Sequence, residues 1–259
     1  MRGTENGWEG KSREERMLTR IAKLFVLLLM AGTMMAAAET SDGVATAPDA
    51  AAVNTVAQVR QDKSWEYGPF VNGGTGVGIR SNFQFLSAGF QAGKALTPVL
   101  HAGILTGQFE LGGNIMPLWQ AYTPSAHEET ITPKGGGTPY PAMIGGGTYR
   151  GVSITPVIFR WNFLTQSRRI QPWVQAAGGI IYTTHKFPGV QEVPQGTPGG
   201  SCVWNFSPQG GGGFHYFIRP RRSIDVGVNA AHISSASLGD RTPGVNASIQ
   251  VQVGYTFWK

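Results

Sequence analysis

A single cysteine, Cys202, stands in the 259 residues, so no intramolecular disulfide can form and the fold must be held together by other means. Charge is scarce as well, at 14% of residues, while Gly numbers 37 and Pro 16. Disorder needs more charge and fewer aromatics than this, and collagen needs a strict glycine period. No Lys/Arg stripe is long enough to point to nucleic acid. The stretch GGTGVG at 73–78 lacks the G-x-G-x-x-G spacing of a dinucleotide loop. His101, His127, His185 and His215 are scattered, with no cysteine or carboxylate at ligand spacing. No metal or other cofactor is therefore expected.

Long apolar runs are missing too. The longest, Leu24 to Met30, is far shorter than the roughly 20 residues that a transmembrane helix requires. It follows Arg20 and Lys23 and precedes Ala36, Ala37 and Ala38, the pattern of a secretory signal peptide cut before Glu39. Residues 1–16 are polar and unpatterned, which makes Met17 an alternative start. Residues 1–38 carry six basic and four acidic side chains, so their removal leaves 15 against 11, a net charge of +4. Residues 39–63 are Ala-rich and read as a linker or short helix before the main domain, 64–259.

What the chain does have, after Trp65, is alternation. In the last segment Ile249, Val251, Val253, Tyr255 and Phe257 share one face, and Gln250, Gln252, Gly254 and Thr256 the other. Phe109, Leu111 and Ile115 oppose Gln108, Glu110 and Asn114 in the same way. Eight such segments occur, at about 67–79, 83–96, 102–119, 150–164, 171–186, 205–218, 223–234 and 246–258. Long Gly/Pro/Thr-rich connections (120–149, 187–204) alternate with short basic ones (TQSRR, RPRR). An exported chain with apolar-out, polar-in strands and this loop asymmetry is expected to be all-β, an eight-stranded antiparallel transmembrane barrel of the bacterial outer membrane. A soluble sandwich or lipocalin-like barrel is the alternative fold.

One segment breaks its own pattern. Ile224, Val226, Val228 and Ala230 line the lipid-directed face of the seventh strand, and His232 and Ser234 of the sequence HISSAS continue it. Unpaired polar groups are costly in hydrocarbon. Either both sit at headgroup level and bond water or phosphate, or they are a general base and a nucleophile aimed at an ester in a neighbouring lipid.

Residues 205–257, with HISS at 232–235 and GVN at 244–246, resemble the lipid A 3-O-deacylase (PagL) family of outer-membrane enzymes. That family has an eight-stranded barrel and a His-x-Ser-Asn stretch followed about a dozen residues later by Gly-x-Glu. The resemblance implies His232 as base and Ser234 as nucleophile in a serine-type ester hydrolase that releases an acyl chain from lipid A or lipopolysaccharide. Asn246 stands where the family has the glutamate that orients the histidine, and Ser235 where it has the asparagine thought to assist the oxyanion. An amide oxygen can accept the imidazole N–H, although it supports an imidazolium less than a carboxylate does. Strict alternation puts Asn246 on the inward face, so a bulge or twist would be needed for it to reach His232. Asp240 in the intervening loop is a rival orienting acid. The rival function is a non-catalytic barrel whose long loops serve adhesion or envelope stability.

Overall fold

The computed structural model describes residues 54–123, 127–132, 137–144, 147–187, 202–236 and 246–259. The expected signal peptide, most of the linker, most of the loop 187–204, and Asp240 lie outside these residues. Eight antiparallel strands close into a barrel: β1 (Trp65–Gly76), β2 (Gln84–Ala95), β3 (Gly107–Tyr122), β6 (Thr148–Phe163), β7 (Ile170–Thr183), β8 (Trp204–Arg219), β9 (Arg222–His232) and β10 (Ala247–Trp258). All eight predicted segments are present. Within the connection 120–149, expected to be only a long loop, the chain forms a hairpin of β4 (His127–Ile131) and β5 (Tyr140–Ile144).

Each barrel strand pairs with its chain neighbour, and β1 pairs with β10, so no edge is left open. The seam is completed by Trp65 and Lys259, whose backbones exchange hydrogen bonds at 2.7 and 2.8 Å. Outward positions carry Phe90, Ile154, Phe159, Val174, Val228 and Val251, all exposed. So much apolar surface in a continuous band suits hydrocarbon rather than water. Aromatic residues mark its two borders: Trp65, Tyr67 and Tyr216 at the short-turn end, Tyr182 and Trp204 at the long-loop end. Among the described residues no helix is long and apolar enough to cross a membrane; the crossing elements are strands.

Inside, the barrel is filled by its own side chains, as expected at this strand number. Its two halves are filled differently. Toward the short-turn end, Arg160 Nη1 lies 2.5 Å from Glu66 and 3.1 Å from Glu110. Asn162 donates to Glu110 at 2.7 Å, and His215 Nδ1 is 2.7 Å from Asp225, which also accepts from Ser223. Buried charges persist only when paired in this way. Toward the long-loop end the filling is apolar: Phe83, Phe85, Trp119, Tyr149, Ile181, Phe187 and Ile233 form one buried cluster. Phe187 meets Tyr149 and Trp119 edge to face, with centroids 4.9 and 5.7 Å away.

The glycine run 210–213 serves this filling. Trp173 is fully buried, and a Cβ on Gly227 or Gly213 would come within 2.5 or 2.7 Å of its indole, so only glycine lets those strands pass the ring. At the short-turn mouth lies a short helix, α1 (Thr55–Gln61), capped by the Asn54 side chain, which accepts from Ala57 N. Its Val56 and Val59 pack with Phe217 and Trp258.

Candidate active site on the outer wall

β9 alternates strictly. Ser223, Asp225, Gly227, Asn229 and Ala231 are buried, whereas Ile224, Val228 and Ala230 are exposed and His232 continues the outward row. The chain stays extended past the end of β9 because both neighbours hold it. Ile233 N donates to Asn246 O at 2.8 Å, and Ser234 exchanges two backbone bonds with Phe206 of β8, at 2.7 and 3.0 Å. Between the two outward polar residues, Ile233 points inward into the aromatic cluster. That single buried side chain pins the segment from inside the barrel.

His232 is half-buried, and its Nδ1 lies 3.2 Å from the main-chain oxygen of Asn246. A carbonyl only accepts, so Nδ1 carries the proton and Nε2 keeps its lone pair, the tautomer a general base needs. Asn246 itself is buried and shares the parity of Ser248 and Gln252, so its side chain belongs to the interior face, as strict alternation required. No bulge brings its amide outward; its carbonyl makes the contact instead.

Ser234 Oγ accepts from Ala236 N at 3.1 Å. Ala236 sits at φ 50°, a left-handed conformation uncommon for alanine. Ser235 lies between them, half-buried. Among the described residues no hydrogen bond joins Ser234 Oγ to His232. Residues two apart on a strand have Cα atoms about 7 Å apart, so an imidazole and a hydroxyl on one face meet by rotation about their side-chain bonds.

Around this pair the outer wall is lined with small residues, a feature that alternation alone does not reveal. Opposite Ser234 stands Phe206. Along β8 follow Pro208 and Gly210, and beside them on β7 Gly178 and Ala176. A Cβ on Gly178 would meet nothing within 4 Å, and one on Gly210 only a carbonyl at 3.7 Å. Neither glycine is required by packing, so their effect is relief. They leave a shallow trough running down from His232, flanked by Val174, Ile180 and Phe206 on one side and Val228, Ile249 and Val251 on the other. The detectable signal was small residues recurring at every second position of two adjacent strands.

His215, unremarkable by sequence spacing, is fully buried and bonded to Asp225 across the tight β8–β9 turn. It belongs to the interior packing, away from the outer wall. Among the described residues no group of three or more His, Cys, Asp or Glu side chains is placed to hold a metal ion.

The chain matches the family model described as lipid A 3-O-deacylase (PagL) over residues 112–256, more than half its length and including both His232 and Asn246. No curated protein matches it. Among solved structures, that of the outer membrane enzyme PagL is 15% identical, with 74% of this chain and 98% of the other covered and a TM-score of 0.37. Neisserial surface protein A (NspA) is 14% identical, with 74% and 96% covered and a TM-score of 0.41. The outer membrane protein OprG from Pseudomonas aeruginosa is 7% identical, with 76% and 96% covered and a TM-score of 0.36.

Proposed function

The chain belongs to the lipid A 3-O-deacylase (PagL) family and is an outer-membrane β-barrel; from that premise we propose that it hydrolyses an ester-linked acyl chain of lipid A at His232 and Ser234 on its lipid-facing wall. The observation that carries the residue assignment is the His232 Nδ1 bond to the Asn246 carbonyl. It leaves Nε2 as the free base on the face that also presents the Ser234 hydroxyl.

In this mechanism His232 Nε2 takes the Ser234 proton as Oγ attacks the ester carbonyl. The tetrahedral intermediate collapses to an acyl-serine, and the sugar oxygen leaves with the proton from the imidazolium. Water, deprotonated by His232, then attacks the acyl-serine and releases the fatty acid. Ser235, through its hydroxyl or backbone N–H, faces the developing oxyanion. Asn246 orients the histidine through its carbonyl, and Asp240 is the rival for that role. The trough over Gly178 and Gly210 receives the acyl chain. No metal or organic cofactor takes part.

The test is mass spectrometry of lipid A incubated with the purified barrel beside Ser234→Ala and His232→Ala. Release of a hydroxy fatty acid by the wild type alone is the expected result. Equal release by Ser234→Ala would remove the nucleophile assignment. A second reading, a non-catalytic barrel acting through its outer loops, draws on the missing Ser234–His232 hydrogen bond. It gains if the folded wild type releases nothing.

A further inference from the structure

At the periplasmic mouth, Arg60 in the last turn of α1 is a buried cation with no anionic partner among the described residues. It is 5% exposed. Its Nη2 donates to the Phe163 carbonyl at 2.5 Å, and its Nε has no hydrogen-bond partner among the described residues. Burial without a carboxylate lowers its pKa to about 10, so it remains charged at neutral pH. The nearest acid in sequence, Asp62, is taken by Arg221 at 2.7 Å. A desolvated guanidinium is normally matched by a carboxylate or phosphate, to which its fork of N–H groups is shaped.

Arg60 also lines a cavity of about 330 Å³, together with Ala57, Lys63, Pro98, Val99 and Leu164. That volume is at the lower end of the range for ligand sites, roughly 300–1,000 Å³. Lys63 joins it through a left-handed turn at φ 45°, its backbone N–H donating to the Arg60 carbonyl. Gln61 is the other polar residue of the lining, the rest is apolar, and Pro98 and Val99 lead on into the β2–β3 connection. There Leu100, Leu105 and Ile104 are exposed, Ile104 by 95%. Trp161 of the lipid-facing wall donates to the Leu105 carbonyl at 3.1 Å, which ties this connection to the apolar band. Beyond it the β6–β7 turn exposes Arg169.

A largely apolar cavity with two cations in its lining, beside a connection that exposes Leu100, Ile104 and Leu105, fits an amphiphile with an anionic headgroup. We propose that the cavity between α1 and the β2–β3 connection binds an anionic phospholipid of the periplasmic leaflet, its phosphate held by Arg60 and Lys63 and an acyl chain laid over Pro98, Val99 and Leu164. Such a lipid fastens α1 to the barrel mouth. The site is at the opposite end of the barrel from His232 and does not depend on the deacylase assignment.

The test is native mass spectrometry of the full chain, folded in neutral detergent and mixed with dioleoylphosphatidylglycerol, dioleoylphosphatidylcholine or oleate. The wild type is expected to retain one phosphatidylglycerol about tenfold over phosphatidylcholine, with Arg60→Gln and the cavity-filling Val99→Trp both abolishing the preference. Heat-modifiable gel migration confirms that each barrel is folded. If Arg60→Gln fails to fold, Val99→Trp and the exposed-site variant Lys63→Gln carry the test. Equal retention of the two phospholipids by the wild type overturns the proposal. So does a preference that survives the folded variants, which would move binding to the basic turns, or retention of oleate in place of phospholipid, which would make the ligand a free carboxylate.

Discussion

His232 and Asn246 meet through the ring of one and the main chain of the other, Nδ1 to O at 3.2 Å. An orienting contact made by a backbone carbonyl is indifferent to the side chain that follows it. Asn246→Ala is therefore expected to keep lipid A hydrolysis within about threefold of wild type, whereas His232→Ala, which removes the proposed general base, is expected to lower it roughly 10²–10⁴-fold. Rates of fatty acid release by the two variants decide the matter. A loss on Asn246→Ala as large as that on His232→Ala would show that the amide, not the carbonyl, holds the ring.

The trough makes a separate prediction. Gly178→Leu and Gly210→Leu place side chains in open space, so the barrel should fold as before. Hydrolysis of lipid A should fall about tenfold, the scale on which a few methylenes change an apolar site. Turnover of a short soluble ester such as p-nitrophenyl acetate should stay level. Parallel losses on both substrates would show that the substitutions disturb the reacting groups rather than the chain path.

Ile233 links stability to the site. Ile233→Ala removes a buried side chain from the aromatic cluster at a cost of about 2–5 kcal/mol, and the Ser234 segment loses its inner anchor. A lower unfolding midpoint in urea and slower hydrolysis should appear together. Ile249→Ala on the exposed wall is the control and should leave the midpoint alone. An unchanged midpoint for Ile233→Ala would mean that the two backbone bonds to Phe206 suffice to hold the segment.

Arg160 neutralises Glu66 and Glu110 inside the barrel. Arg160→Met removes the guanidinium that Glu66 and Glu110 share, and breaking such a buried pair typically costs about 3–5 kcal/mol. Replacing all three with apolar residues of matching volume should recover much of that loss. The urea midpoint of the single and triple variants reads this directly; a single variant as stable as wild type would contradict it.

Much of this architecture is visible in the bare chain because a strand's period is two and a membrane barrel's outer face has one chemistry. The phase of Ile224, Val226 and Val228 is enough to send His232 outward, and that of Ser248 and Gln252 to send Asn246 inward. What stayed hidden depends on partners distant in sequence or on groups every residue shares. The hairpin β4–β5 lies in a Gly- and Pro-rich stretch where five-residue strands leave little periodic trace. The apolar plug gathers Phe83, Trp119, Tyr149 and Phe187 from widely separated segments, which the polar-in alternation of the clearest strands does not reveal. The pairing of His215 with Asp225 follows from register across a tight turn rather than from ligand spacing. The bond from His232 to a carbonyl has no sequence signature at all.

Placing His232 and Ser234 on the wall rather than in a cleft also changes how encounters are counted. A substrate that arrives sideways within a leaflet is met by lateral diffusion in two dimensions, and its effective concentration is its mole fraction among neighbouring amphiphiles. Inert lipid or detergent then acts as a diluent even when the bulk amount of substrate is held constant. The barrel in this arrangement is less a container than a post, and the neighbours that crowd it determine how often it works.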